Sequence, residues 1–400
     1  MIARTITPHL DELAKSFRVV SIMGPRQSGK TTLARNHFPN HRYVNLEDIA
    51  VRQLAKSDPT EFFRQHPGPV ILDEVQRVPE LLSAIQVLSD GTKKNGQFIL
   101  TGSHQPDMRA KVSQSLAGRA AILELLPLSI SELKGAGIVM DRDDYIFNGF
   151  MPRIYDEHVS PELLYANYYR TYVERDVRQL INLSNQHAFE VFIKLLAGRV
   201  GQLVNLSSMS NDIGVSSMTL ASWLSVLEAS YIVFRLPCYF NNFGKRQIKT
   251  AKIYFTEVGL AAYLLGIESP AQAARDPLFG GLFENMVVLE ALKARCNIGK
   301  EPELYYFRDK RGLEVDLILN KGRTLRPIEI KSARTYDASF TQPLKKFVAF
   351  AGSVSQPSIV YAGDLTPTIN GIRFVNFADT ADIITASVTK RVEASPPRIR

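Results

Sequence analysis

The sequence predicts a chain of several domains, α/β at both ends and helical in the middle. Three observations predict it. A short β-rich run, FRVVSIM, leads into a glycine-containing loop, GPRQSGKTT, and the following TTLARNHF reads as a helix start. Residues 206–236 give two short helical patterns around a glycine and then a strand. Residues 281–333 give a helix and then two strands, EVDLIL and RPIEIKSA, that carry acids.

The composition sets the outer bounds. The chain has 400 residues, of which 45% are hydrophobic and 22% charged, so it can bury a core and is not disordered as a whole. Its two cysteines, Cys238 and Cys296, exclude a disulfide framework and a closed zinc site. The N-terminal stretch MIARTITPHLDELAK lacks an apolar signal core, and no apolar run nears the ~18–20 residues of a membrane span. A soluble, cytoplasmic protein without membrane attachment is expected. The formal charge of +8 is spread thinly along the chain, which suits a solvated surface as well as a polyanion partner.

The loop from Gly24 to Thr32 satisfies the pattern Gly, four residues, Gly-Lys-Thr, between a strand and a helix. Gly24 and Gly29 let the backbone curl so that the N–H groups of Pro25-Arg26-Gln27-Ser28-Gly29-Lys30-Thr31-Thr32 that exist can face phosphate oxygens, proline having none. Lys30 supplies a cation for the β- and γ-phosphates, and the Thr31 hydroxyl is a Mg²⁺ ligand. ATP and Mg²⁺ are the expected cofactors. Downstream, PVILDEVQ is an apolar strand ending in two carboxylates. Asp73 is placed to hold the metal through water and Glu74 to polarise the attacking water. A third strand, QFILTGSH, ends near Thr101, whose hydroxyl either contacts the γ-phosphate or the water, or marks a plain strand end. Arg119, just before the strand Ala120–Leu125, is an arginine-finger candidate in cis or from a neighbouring subunit, or else a surface arginine.

GPRQSGKTT, VILDEVQ, ILTGS and GRAAILELLPLSISEL resemble the AAA-type branch of P-loop ATPases. More narrowly, they are similar to a bacterial and archaeal family that joins an AAA domain to a C-terminal region of unknown function. The resemblance covers nearly the whole chain. It implies an AAA-type P-loop NTPase domain (1–135), a helical linker (136–190), a winged-helix-like domain (191–258) and a restriction-endonuclease-like α/β domain (259–385); the basic, proline-containing last stretch, KRVEASPPRIR, reads as a mobile tail (386–400).

In the middle, YANYYRTYVERDVRQL places Tyr165, Tyr168, Tyr169 and Tyr172 at helical spacing, a core face before a base-stacking one. Gly214 breaks two helices, Ser216 or Ser217 caps the second, and Leu220, Trp223, Leu224 and Leu227 form its apolar face. A strand from Tyr231 completes a helix-turn-helix followed by a wing. The second helix has no Lys or Arg, which argues against reading a DNA groove. Lys245, Arg246, Lys249 and Lys252 gather in the wing instead, able to grip phosphates or to sit in a solvated hairpin.

In the last third, residues two apart on a strand share a face, so Glu329 and Lys331 point the same way. Asp316 on the neighbouring strand can converge with them, and Glu284 on the helix Gly281–Arg295 can complete the set. Two hard carboxylate ligands and a lysine suit metal-dependent phosphodiester chemistry. The set resembles the PD-(D/E)XK nuclease fold, with Val315 where a proline usually precedes the first acid. Glu-x-Lys on a strand is equally a common ion pair. The expectation is an ATP-binding, ATP-hydrolysing protein with a nuclease-like domain for DNA or RNA. The alternative is a nucleotide-dependent switch or scaffold that binds protein or DNA and cleaves nothing. Oligomeric state stays open, a homo-oligomer being required only if Arg119 acts in trans.

Overall fold

The computed structural model describes residues 1–103, 112, 114–177, 185–239 and 251–387. Lys245, Arg246 and Lys249 and all but the first two residues of the expected tail lie outside the described residues.

The N-terminal unit is a five-stranded parallel sheet. Its strands are β1 (Val19–Gly24), β2 (Arg42–Asn45), β3 (Val70–Asp73), β4 (Phe98–Ser103) and β5 (Ala120–Glu124), in the order β2-β3-β4-β1-β5. All six residues of β1 are buried, as are the four of β3, because helices cover both faces of a parallel sheet. Two apolar clusters fill those faces, one around Leu72, Phe62 and Leu100, the other around Ile22, Leu33 and Ile99. The parallel register aligns the C-terminal ends of β1, β3 and β4 along one edge, where open α/β sheets bind ligands.

The middle is helical. Helices Arg142–Asn148, Pro152–Asp156 and Pro161–Tyr168 run into a wide π-helical stretch, Tyr169–Val177. Tyr165, Tyr168, Tyr169 and Tyr172 are all buried, so the stripe is a core face and not a stacking platform. At the GFMPR turn, Gly149 has φ 66°, and a Cβ there would lie 2.0 Å from the Tyr165 hydroxyl and 2.1 Å from Glu257. Only glycine fits. Helices Leu206–Ile213 and Ser217–Ala229 meet at Gly214, and Ser216 caps the second by accepting from Thr219 N at 3.1 Å. Leu220, Trp223, Leu224 and Leu227 are buried. Strands β6 (Val233–Leu236) and β7 (Lys252–Phe255) then pair antiparallel.

The C-terminal unit opens with the long helix Phe279–Asn297 and builds a six-stranded mixed sheet. Its strands are β8 (Leu304–Arg308), β9 (Glu314–Lys321), β10 (Thr324–Lys331), β11 (Ser358–Tyr361), β12 (Thr368–Ile369) and β13 (Ile372–Asn376), in the order β12-β13-β11-β10-β9-β8. Helix Gln342–Phe350 packs on one face through Leu344 and Phe347. The other face belongs to a large core that runs from Leu128 through the helical middle to Leu317, Ile328 and Val375. The three regions are thus welded by shared apolar packing. Among the described residues, no helix is long and apolar enough to cross a membrane.

Candidate nucleotide site and the C-terminal acid cluster

β1 ends at Gly24, with φ 151°, and a Cβ there would lie 2.2 Å from the Leu125 carbonyl oxygen. The chain then curls through Pro25, Arg26, Gln27 (φ 64°), the buried Ser28 and Gly29 (φ 91°), which starts the helix Lys30–His37. Lys30 is buried at the head of that helix and donates Nζ to the Pro25 carbonyl at 2.6 Å. Burial lowers its pKa to about 8, outweighing the opposing charges of Glu74 and Asp73. Thr31, the next residue, is half-buried and Thr32 is exposed.

Asp73 ends β3 and is the focus of three hydroxyls. Thr31 Oγ1 donates to Asp73 Oδ1 at 2.8 Å, the Tyr43 hydroxyl to Oδ2 at 2.7 Å, and Thr101 Oγ1 also bonds Oδ1. Glu74 follows in the left-handed region, φ 57° and ψ 45°, a conformation that costs a non-glycine residue ~1–2 kcal/mol. Gln76 donates to its carboxylate. The sheet therefore brings Lys30, Thr31, Asp73, Glu74 and Thr101 to one edge.

Arg119 is not with them. It precedes β5 at the opposite edge of the sheet, where its carbonyl accepts from Val19 N at 3.2 Å. Its guanidinium holds Asp90, with Nε–Oδ1 at 2.6 Å and Nη2–Oδ2 at 3.0 Å. Six residues of β1, rising ~3.3 Å each, separate it from the phosphate loop, so it cannot act on the nucleotide of its own chain. This corrects the cis arginine-finger expectation.

Two residues that the motifs do not mark complete the site. Tyr43 on β2 fixes the second oxygen of Asp73. Arg4 braces the loop from beneath: Nη1 donates to the Ser28 carbonyl at 2.8 Å, Nη2 to Leu126 O at 2.6 Å, and Nε to Glu132 Oε1 at 3.1 Å. A cavity of about 240 Å³ opens beside the loop between Ile2, Gly29, Thr32, Leu33, Leu128 and Pro152.

The long C-terminal helix reaches this region. Glu290 Oε2 accepts from Ile130 N at 2.9 Å, and Lys293 Nζ bonds Glu290 Oε1 at 2.9 Å and the Leu128 carbonyl at 2.7 Å. Both side chains are almost fully buried, and burial pushes the Glu290 carboxyl up despite Lys293.

At the C-terminal site, Asp316 Oδ2 accepts from Ile330 N at 2.8 Å, and Lys331 bonds Glu329 at 2.7 Å. Burial first, then the charge of Asp316, pushes Glu329 up to about 8 and Glu284 up to about 7. Glu284 Oε1 accepts from Tyr254 at 2.6 Å and from Lys252 at 2.9 Å. Lys252 also lies 2.7 Å from Glu314 and 3.9 Å from Asp316, its side chain 4% exposed. Burial alone would push it down, but Glu284, Asp316 and Glu314 hold it above the ordinary lysine value. Lys252 is therefore an internal cation rather than a wing lysine free to grip phosphate. Among the described residues, no group of three or more acids, histidines or cysteines is arranged to hold a metal ion.

Comparison with known proteins follows the same division. Residues 16–134 match an AAA domain family, residues 140–271 a domain of unknown function (DUF8612), and residues 279–379 another (DUF4143). An uncharacterized protein of Mycobacterium tuberculosis is 29% identical over 351 residues, spanning 86% of this chain and 77% of that protein. An uncharacterized protein of Haemophilus influenzae is 24% identical over 307 residues, 68% and 74% of the two chains. Among solved structures, a Walker-type ATPase of Pyrococcus abyssi aligns over 65% of this chain and 94% of its own, with 12% identity and a TM-score of 0.41. The N-terminal region is thus similar to an AAA domain, and the two regions that follow match domains of unknown function.

Proposed function

We propose that the N-terminal domain binds ATP with Mg²⁺ and hydrolyses it. The observation that carries this reading is the convergence of the Thr31, Thr101 and Tyr43 hydroxyls on Asp73, beside the buried ammonium of Lys30. The hard oxygens of Thr31 and Asp73 fit Mg²⁺, which when bound would neutralise charge on the β- and γ-phosphates. Gly24 to Gly29 present backbone N–H groups, and Lys30 exchanges the Pro25 carbonyl for phosphate oxygen. Tyr43 and Thr101 keep the Asp73 carboxylate oriented. Glu74, set off the end of β3 by its left-handed backbone, orients and deprotonates the attacking water, whose oxygen bonds to the γ-phosphorus as the bond to the β-phosphate oxygen breaks. The apolar cavity beside Gly29 and Thr32 suits a purine base. Phosphate release by the purified chain tests the reading. Lys30→Ala should lose nucleotide binding, and Glu74→Gln should bind ATP without turnover. Full turnover in Glu74→Gln would remove the role given to Glu74.

For the C-terminal region, the ammonium of Lys252 seated among Glu284, Glu314 and Asp316 supports a nucleotide-dependent switch or scaffold over a metal-dependent nuclease. Its partner is protein or nucleic acid. The assay is cleavage of single- and double-stranded DNA and RNA with Mg²⁺ or Mn²⁺. Cleavage that Asp316→Ala abolishes would reinstate the nuclease.

A further inference from the structure

We infer that the pocket formed by Glu284, Glu314 and Asp316 is a built-in ammonium site, filled by Lys252 from the middle region in place of a divalent cation. The inference deepens the switch reading and rests on it in one respect, that this region does not work through a metal.

The geometry is that of a cation site already satisfied. Lys252 Nζ lies 2.9 Å from Glu284 Oε1, 2.7 Å from Glu314 Oε1 and 3.9 Å from Asp316 Oδ1. Three carboxylates from two elements, one on the helix Phe279–Asn297 and two on one face of β9, thus surround one point charge. An ammonium has three donors in a compact head, which suits a convergent set of oxygens.

The cation is held there by the sheet that carries it. Lys252 opens β7, is paired with Leu236 of β6 and bridges to Leu203 on the other side. Two residues on, and so on the same face, Tyr254 donates its hydroxyl to the same Glu284 oxygen at 2.6 Å. Strand periodicity delivers two donors to one carboxylate. Neither can leave without breaking a buried pairing, because Lys252 is 3% exposed and Tyr254 fully buried.

The remaining acid is also engaged. Glu329 bonds Lys331 through Oε1, while its Oε2 is buried and makes no hydrogen bond among the described residues. Asp316 Oδ2 is taken by the Ile330 amide. A dication entering between Asp316 and Glu329 would stand next to the fixed ammonium of Lys252, whose charge repels it in a site screened little by solvent.

Manganese binding to the full, nucleotide-free, chelator-stripped chain tests this, read by the loss of the free-ion paramagnetic resonance signal. Wild type and Asp316→Asn should give superimposable binding curves. Lys252→Met, which keeps an unbranched side chain and removes the charge, should gain one site at least tenfold tighter than any in wild type, and adding Asp316→Asn should abolish the gain. A wild-type manganese site that Asp316→Asn removes would overturn the inference. So would a folded Lys252→Met, checked by circular dichroism, that gains nothing. If Lys252→Met does not fold, the wild-type and Asp316→Asn curves decide alone. Nucleic-acid cleavage measured in parallel separates the failure of this inference from that of the switch reading: cleavage without a site that depends on Asp316 sinks only the latter.

Discussion

Lys30 makes the nucleotide site a proton-linked one. Its pKa is lowered from 10.5 to about 8 because burial outweighs Glu74 and Asp73. The sign follows from which form the fold disfavours. A lysine depressed in the folded state carries a penalty while protonated, of about 3 kcal/mol for a shift of this size. That penalty is in full force below pH 8 and is relieved as pH rises from about 8 towards 10.5. Phosphate oxygens beside Nζ remove it in another way, by restoring the charged form. ATP binding should therefore take up ~0.1 proton at pH 7 and ~0.9 at pH 9, if the bound lysine regains its ordinary value. Affinity should fall about tenfold over the same interval. Titration calorimetry in two buffers of different protonation enthalpy reads the proton number directly. Binding at pH 9 with no proton uptake would refute both the burial argument and the placing of phosphate against Lys30.

The other predictions concern single side chains. Glu74→Gln should keep ATP affinity within a few-fold and lower turnover by ~10²–10⁴, measured by filter binding and phosphate release. Gly24→Ala, whose Cβ would lie 2.2 Å from the Leu125 carbonyl, should lower thermal stability by ~1–3 kcal/mol and abolish nucleotide binding. Lys293→Met should cost ~3–5 kcal/mol in urea unfolding by stranding the buried Glu290, and adding Glu290→Gln should recover most of it. The Lys293→Met loss should shrink as pH falls, because a carboxyl already pushed up by burial takes a proton there.

The legible part of this site was what lies contiguous in sequence. The strand, loop and helix around Gly24–Thr31 and the carboxylates after VIL follow from local chemistry, since a phosphate cradle must be built from successive backbone amides. The tyrosine face and the Gly214 break follow from helical periodicity and φ. What periodicity cannot carry is which residue meets which across the fold. Arg4 looks like any charged residue near a chain end, and its worth lies in Ser28, Leu126 and Glu132. Lys252 reads as one of four basic residues in a hairpin, yet the strand turns it inward to acids 32 and more residues away. Arg119 erred for a related reason: the strand after it was legible, but the edge of the sheet at which it starts was not.

The bond from Ile130 N to Glu290 joins residues 160 apart in the chain. At ~5–20 residues per second of synthesis, roughly 10–30 s pass between the two leaving the ribosome. Over that interval the segment flanking the phosphate loop lacks the buried carboxylate and lysine that later fasten it. A nascent chain of this protein should therefore acquire its nucleotide site late, and stalled products that stop short of the helix Phe279–Asn297 should stay sensitive to protease around residues 126–134.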